Sequence, residues 1–202
     1  PRPDKVAVNG KAARDSYIQG GYPQDELVDV EALRYLYLNT FLDKPDLLEN
    51  NSAQIIVLVL GDYLPENTHS QMRILEKAFS SFNQNVKLIV KPHPSCPIMV
   101  EDYPDLKMHI TTDSISNLLN KCDVAYTSAF TSAAIDAYCA GLLVVSLCDL
   151  KYLNMSPLKG INGVVFISTK DELIKAIDKV KIESRENIDP KDFFWLDPLL
   201  PR

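Results

Sequence analysis

Between residues 54 and 180, short and almost continuously apolar segments alternate with segments whose apolar residues recur at helical spacing. A short apolar run is typical of a strand that is buried on both faces. Such strands, alternating with helices, form a parallel sheet that helices cover on both sides through right-handed crossovers. The sequence therefore predicts an α/β fold with a doubly wound, Rossmann-like parallel sheet of about six strands. The predicted strands are residues 54–60, 86–90, 106–110, 123–126, 142–147 and 164–167.

The two ends of the chain do not follow this alternation. Residues 1–53 are predicted to be a helical interdomain passage or an N-terminal extension, with helices over 8–18 and 28–38. Residues 54–183 are predicted to form the Rossmann-like domain, and residues 184–202 a C-terminal segment that crosses back. That segment contains two adjacent phenylalanines and the only tryptophan, which we expect to pack onto a surface of the chain.

Composition argues against several classes of protein. The formal net charge of −6 argues against a nucleic-acid partner, which requires a basic face. No apolar run approaches the roughly 20 residues that span a bilayer. The four cysteines have no CxxC spacing, so we expect buried thiols, no zinc site and a cytoplasmic location. Because the chain starts with proline, we expect it to be part of a longer protein. Any peripheral membrane association is expected only of that full-length protein.

A hydroxyl-rich turn follows the fourth predicted strand. Thr127, Ser128, Thr131 and Ser132 place four hydroxyls within six residues at a junction between a strand and a helix. The first turn of a helix offers free N–H groups and the positive end of the helix dipole, so this turn is either a phosphate site or a well-capped helix. Asp136 lies one helical turn beyond Ser132, where it could bind ribose hydroxyls or, as we favour, accept main-chain hydrogen bonds.

A second unusual motif, Lys91-Pro92-His93-Pro94, follows the second predicted strand. Each proline fixes its own φ and drives the preceding residue toward an extended backbone. His93 is therefore presented with little orientational freedom, able to donate to a phosphate or a base carbonyl, while Lys91 adds positive charge. The alternative is a rigid turn with an incidental histidine.

Both motifs are expected to meet at one crevice. In a doubly wound sheet with the strand order 3-2-1-4-5-6, ligands bind beyond the carboxyl ends of strands one and four. The loop over 61–67 follows strand one, the hydroxyl-rich turn follows strand four, and the proline-flanked motif lies beside them. Gly61 and Tyr63 in the first loop are predicted to belong to the nucleotide site, where Tyr63 and Asn67 could contact a base or a sugar.

The proline-flanked motif, followed by a strand and Thr-Ser-x-x-Thr-Ser-x-x-x-Asp, resembles the C-terminal half of GT-B glycosyltransferases of surface polysaccharide assembly. It is similar to bacterial sialyltransferases, capsule Kdo transferases and CDP-glycerol glycerophosphotransferases, over about residues 54–180. In those families the histidine binds the nucleotide of a CMP- or CDP-activated donor. The resemblance implies that His93 is the catalytic residue and contacts cytidine and phosphate. It also implies that Ser128, Thr131 and Ser132 hold the phosphate.

The resemblance implies a nucleotide-binding domain of a metal-independent glycosyltransferase that uses a CMP-sugar, sialic-acid-like or Kdo-like, with no cofactor beyond this nucleotide-sugar substrate. Asp62 has no acidic partner two residues away, so no DxD metal site is expected. The general base of the resembled families belongs to their N-terminal half, so the expected partners are the nucleotide-sugar donor and that missing half. Two alternatives stay open: a UDP-sugar epimerase-type enzyme with His93 as acid or base, and a non-catalytic nucleotide- or glycan-binding module.

Overall fold

The computed structural model of the protein describes residues 2–38, 41, 54–148, 154, 156–180 and 193–195. The chain forms two compact units, one of residues 1–44 with 187–202 and one of residues 45–186. Most of the predicted segment 184–202 lies outside the described residues. No helix within the described ranges is both long and apolar enough to cross a membrane.

The smaller unit contains a short pair of parallel strands. Its elements are β1 (Val6–Val8), α1 (Lys11–Gln19), a 3-10 turn (Gln24–Glu26), β2 (Leu27–Asp29) and a 3-10 helix (Leu33–Leu38). The helix predicted over 28–38 is present only over residues 33–38, as a 3-10 helix, and the prediction is wrong for residues 28–32. The β-branched Val28 and Val30 belong to extended chain that pairs with β1, where the N–H of Val30 donates to the carbonyl of Val8 at 2.9 Å.

The aromatic segment near the C-terminus packs within this smaller unit. The ring of Phe194 stacks on Tyr35 with 3.7 Å between the centroids and 11° between the planes. The main chain of Trp195 is bonded on both sides, because its N–H donates to Asn9 O and its carbonyl accepts from Ala32 N, each at 2.9 Å. The segment is therefore fixed by backbone hydrogen bonds as well as by ring contacts.

Gly10 lies so close to this aromatic segment that a side chain there has no room. A Cβ at Gly10 would lie 1.6 Å from the carbonyl oxygen of Phe193. We expect Gly10→Ala to displace the segment and to lower the free energy of unfolding by about 1–3 kcal/mol. Denaturation followed by the fluorescence of Trp195, the only tryptophan, measures this. Gly20→Ala is the control, since its Cβ would first meet an atom at 3.3 Å, and an equal loss in both variants would contradict the expectation.

The larger unit is built around a six-stranded sheet. Its strands are β3 (Gln54–Leu60), β4 (Asn85–Lys91), β5 (Met108–Ile110), β6 (Val124–Ser128), β7 (Leu143–Leu147) and β8 (Val164–Ile167). All neighbouring strands run parallel, in the order β5-β4-β3-β6-β7-β8. This order is the predicted one, and the predicted α/β fold with a doubly wound parallel sheet is confirmed.

Helices flank the sheet. They are α2 (Pro65–Phe79), α3 (Ile115–Leu119), α4 (Ala133–Cys139) and α5 (Lys170–Asp178). Side chains of α2 and α5 join alternate residues of the strands in one apolar core that includes Val57, Met72 and Leu173, all buried. The four cysteines are free thiols, three of them buried.

Helix α2 begins at Pro65, inside the loop that the sequence predicts over residues 61–67. Proline suits the first position of a helix because an N–H there would have no acceptor within the helix, and Glu66 in the first turn complements the helix dipole. The N–H of Thr68 donates to the carbonyl of Leu64 at 3.1 Å and closes the first turn. The loop between β3 and α2 therefore contains only residues 61–64. Because this loop is short, it stays close to the sheet.

Candidate functional site

The strand order reverses between β3 and β6, and three loops of unusual sequence meet there. Leu60 at the end of β3 is paired with Lys91 of β4 on one side and with Thr127 of β6 on the other. The carboxyl ends of these three strands therefore lie side by side at the same edge of the sheet. In doubly wound sheets the crevice at such a reversal is where ligands bind.

A buried glutamine fixes the floor of this crevice. The side-chain amide of Gln71, on α2, donates to the carbonyls of Tyr126 at 2.8 Å and Leu60 at 3.3 Å. The hydroxyl of Tyr126 in turn donates to the carbonyl of Gln71 at 3.2 Å, and burial raises the pKa of the Tyr126 phenol, which keeps it a neutral donor. These bonds tie α2 to the ends of β3 and β6.

The loop after β3 lies directly against the proline-flanked motif after β4. The N–H of Gly61 donates to the carbonyl of Lys91 at 3.0 Å. A Cβ at Gly61 would lie 2.9 Å from the backbone nitrogen of His93 and 3.3 Å from Cα of Pro92. Gly61 therefore permits a backbone approach that no other residue allows, and this contact positions His93 at the crevice.

The imidazole of His93 is exposed and is held through one of its two nitrogens. Nδ1 lies 2.7 Å from the hydroxyl of Ser95, and that hydroxyl donates to the carbonyl of Tyr63 at 3.0 Å. The ring of Tyr63, 56% exposed, stands edge-on to the imidazole with 6.5 Å between centroids. Among the described residues nothing bonds Nε2 of His93, so this nitrogen is open to a ligand.

The structure divides the four hydroxyls of the predicted phosphate turn into two pairs. Thr127 and Ser128 belong to β6 and are buried, with 0% and 3% of their surface exposed. Thr131 is half-buried and Ser132 is exposed, and Ser132 caps α4 without a side-chain hydrogen bond to the helix. Thr131 and Ser132 are therefore the hydroxyls of this turn that a ligand can reach most readily.

Ser128 is held inside the protein by a carboxylate that sequence reasoning did not place in the site. Its hydroxyl donates to Asp62 and accepts from the N–H of Phe130 at 3.3 Å. Ser128 thus has a donor and an acceptor partner within the fold, and its contact with a phosphate stays a prediction.

Asp62 is fully buried and its carboxylate accepts three hydrogen bonds. Oδ1 accepts from the N–H of Leu64 at 3.0 Å, and Oδ2 accepts from Asn67 at 3.2 Å and from Ser128. A buried carboxylate is stable only when it is hydrogen-bonded in this way. Asp62 therefore joins the loop after β3 to the end of β6, across the crevice.

Asp136 lies on the inner side of α4 and is only 2% exposed. The carbonyl of its own backbone accepts from Ala140 at 3.0 Å in the last turn of the helix. Whether its carboxylate binds ribose or accepts main-chain hydrogen bonds stays a prediction. Lys91, by contrast, is half-buried at the end of β4, and its ammonium group forms no ion pair with any residue that the structure describes.

No protein-family model matches the sequence, and comparison with curated proteins gives no match. Solved structures do match. A glycosyltransferase from Rickettsia africae ESF-5 is 15% identical, with a TM-score of 0.50 over 87% of this chain and 52% of that one. A candidate UDP-N-acetylglucosamine 2-epimerase from Listeria monocytogenes is 18% identical, with a TM-score of 0.58 over 94% of this chain and 56% of that one. MurG from Acinetobacter baumannii is 10% identical, with a TM-score of 0.52 over 86% of this chain and 49% of that one.

At these identities the likeness shows the fold. The six-stranded parallel sheet with its flanking helices matches the Rossmann-like domains of GT-B glycosyltransferases. The chain spans about half the length of these three structures. The names of the three structures specify neither a sialyltransferase nor a Kdo transferase, so that finer resemblance stays a prediction.

Proposed function

We propose that this chain is the nucleotide-sugar-binding half of a GT-B-type glycosyltransferase. The observation that carries the proposal is the meeting of three loops where the strand order reverses. One loop presents the imidazole of His93, and another presents the hydroxyls of Thr131 and Ser132. The finer expectation, a CMP-sugar donor for surface polysaccharide assembly, rests on the motif resemblance alone.

In this proposal the donor phosphate lies between the proline-flanked motif and the turn after β6. The ammonium of Lys91 and Nε2 of His93 supply charge and a donor from one side, while Thr131 and Ser132 donate from the other. The exposed ring of Tyr63 offers an apolar face for the base or the sugar. Such fixed donors bind an anion without reorganising.

The reaction we propose is transfer of the sugar from the nucleotide to an acceptor hydroxyl. The acceptor oxygen forms a bond to the anomeric carbon, the bond from that carbon to the phosphate oxygen breaks, and the phosphate leaves with the electron pair. Lys91 and His93, rather than a bound metal ion, would stabilise the charge that develops on this phosphate. The base that accepts the hydroxyl proton would belong to the other half of the full-length enzyme.

A second candidate function is an epimerase-type enzyme that binds a UDP-sugar. It is favoured by the likeness to the Listeria protein, which extends over 94% of this chain. His93 would then act as an acid or base on the sugar rather than as a phosphate ligand. Uridine selectivity would support this candidate, and cytidine selectivity would support the CMP-sugar transferase.

Thermal unfolding with CMP, CDP, UMP, UDP, GDP and ADP tests the proposal. A ligand at about 20 times its dissociation constant stabilises the folded state by about 1.8 kcal/mol, a rise of several degrees in Tm. We expect stabilisation by pyrimidine nucleotides above that by GDP or ADP. The proposal is contradicted if no nucleotide stabilises the chain at concentrations of about 20 mM.

A double substitution of the two outward hydroxyls tests the place of the phosphate. We expect Thr131→Ala with Ser132→Ala to weaken binding of a nucleoside diphosphate about tenfold, because hydroxyl bonds to a charged group are lost. Binding of the matching nucleoside, which has no phosphate, should not change. Calorimetric titration measures both. The control is Thr112→Ala with Ser114→Ala, an exposed pair before α3, and equal loss in both double variants would contradict the assignment.

A further inference from the structure

A continuous chain of hydrogen bonds runs from the imidazole of His93 to the buried carboxylate of Asp62. We propose that Asp62 is a positioning residue for His93. It acts through Ser95 and the peptide group between Tyr63 and Leu64 to hold the proton of the imidazole on Nδ1. The importance of this protonation state for a donor phosphate rests on the function proposed above. The series of hydrogen bonds does not depend on that function.

The first link is set by the single proton of the Ser95 hydroxyl. That hydroxyl lies 3.0 Å from the carbonyl of Tyr63, to which it donates, and 2.7 Å from Nδ1 of His93. A hydroxyl that donates to the carbonyl can only accept from the imidazole. When the hydroxyl proton points to that carbonyl, the bond between Ser95 and His93 requires the imidazole hydrogen on Nδ1.

The second link passes through one peptide group. Its carbonyl, on Tyr63, accepts from Ser95, and its N–H, on Leu64, donates to Oδ1 of Asp62 at 3.0 Å. A peptide that accepts at oxygen and donates at nitrogen is polarised, and each bond strengthens the other. The negative charge of Asp62 therefore favours donation by His93 at the far end of the chain.

The third link carries the chain to the opposite side of the crevice. Oδ2 of Asp62 accepts from Ser128, whose oxygen accepts from the N–H of Phe130 at 3.3 Å. The carboxylate thus lies between the loop that presents His93 and the turn that presents the outward hydroxyls. One buried residue fixes the geometry of both.

The consequence for the imidazole concerns its other nitrogen. With a proton held on Nδ1, Nε2 has a lone pair toward the crevice and can take up a second proton without a change in the bond to Ser95. The resulting cation would donate from Nε2 to an anion. One contact opposes this arrangement, since the N–H of Ser95 lies 3.2 Å from Nδ1 and would be satisfied only by the opposite tautomer.

Nitrogen-15 spectra of the His93 side chain decide between the two tautomers, and they need no ligand. The chain is labelled at histidine and measured at pH about 9, where an ordinary imidazole is neutral. We expect a protonated Nδ1 and an unprotonated Nε2 in the natural sequence. Ser95→Ala should exchange the two types of signal, and Ser95→Thr, which keeps the hydroxyl, should restore the natural pattern.

Asp62→Asn should move the His93 signals in the same direction as Ser95→Ala, although Asp62 does not touch His93. Asp105→Asn, at an exposed carboxylate, is the control and should leave them unchanged. The amide spectrum of each variant reports whether it is folded. An unprotonated Nδ1 in the natural sequence, or an unchanged tautomer in folded Asp62→Asn, would overturn the proposal. Neither result depends on nucleotide binding, so this proposal and the proposed function can fail separately.

Discussion

Alanine in place of His93 is expected to weaken the binding of a nucleoside diphosphate by tenfold to a hundredfold. The imidazole is exposed at the crevice, is held through Nδ1, and has Nε2 open among the described residues. A hydrogen bond to a charged group contributes roughly 1.5–3 kcal/mol, and about 1.4 kcal/mol corresponds to a factor of ten in affinity. Calorimetric titration of the variant and the natural chain with CDP and UDP measures the loss.

The matched control for His93→Ala is His109→Ala. His109 is exposed on β5, the strand at one edge of the sheet, and lies outside the three loops of the crevice. We expect the His109 variant to bind nucleotides like the natural chain. Because His93 is exposed, its variant should unfold at the same denaturant concentration as the natural chain. Unchanged affinity in a folded His93→Ala would remove the histidine from the proposed site.

Gly61→Ala is expected to have the second large effect, on stability and on binding together. The added Cβ would lie 2.9 Å from the backbone nitrogen of His93 and 3.3 Å from Cα of Pro92. Both are backbone atoms of a segment that two prolines stiffen, so no side chain can rotate away to make room. Overpacking of this kind lowers the free energy of unfolding by about 1–3 kcal/mol. Displacement of the motif should also abolish stabilisation by nucleotides.

Urea denaturation and nucleotide titration of the same Gly61→Ala sample measure both effects. Gly20→Ala, in the smaller unit, is the control because its Cβ meets no atom closer than 3.3 Å. That variant should lose less stability and bind nucleotides normally. Full nucleotide binding by Gly61→Ala would show that the contact between the two loops does not position the ligand site.

The order of strands could be predicted from the sequence because the strands are short, mostly apolar runs separated by segments with helical spacing. Residues 54–60 and 164–167 were predicted to the residue as β3 and β8. With helical segments between such strands, right-handed crossovers leave few sheet orders, and the observed order is one of them. The reversal between β3 and β6, and hence the crevice, follows from that order.

Segments in which apolar residues do not recur at a regular spacing were harder to predict. Residues 28–38 place apolar side chains close to helical spacing, but the chain forms β2 and a 3-10 helix there. Pairing with β1 decides this, and such pairing between distant residues is not visible in a local pattern. The start of α2 could have been found, since Pro65 and Glu66 carry the signals of a helix N-terminus.

The site was predictable where a motif marks it and hidden where tertiary contacts create it. The two prolines around His93 mark a constrained histidine. Asp62 and Ser95 carry no such mark. Asp62 gains its importance from a bond to a serine 66 residues away, and Ser95 from a bond to a carbonyl 32 residues away. The same contacts separate the buried Ser128 from the accessible Thr131 and Ser132.

The most direct test of the proposed nucleotide site is to follow the backbone amide signals of the labelled chain during titration with CDP and with UDP. Saturable shifts are expected at Gly61, Ser95 and Phe130, one residue in each of the three loops, with a common dissociation constant. Signals of β5 and α5, away from the crevice, should stay in place. If neither nucleotide shifts the three loops, or if the shifts arise only elsewhere in the fold, the crevice is not a nucleotide site.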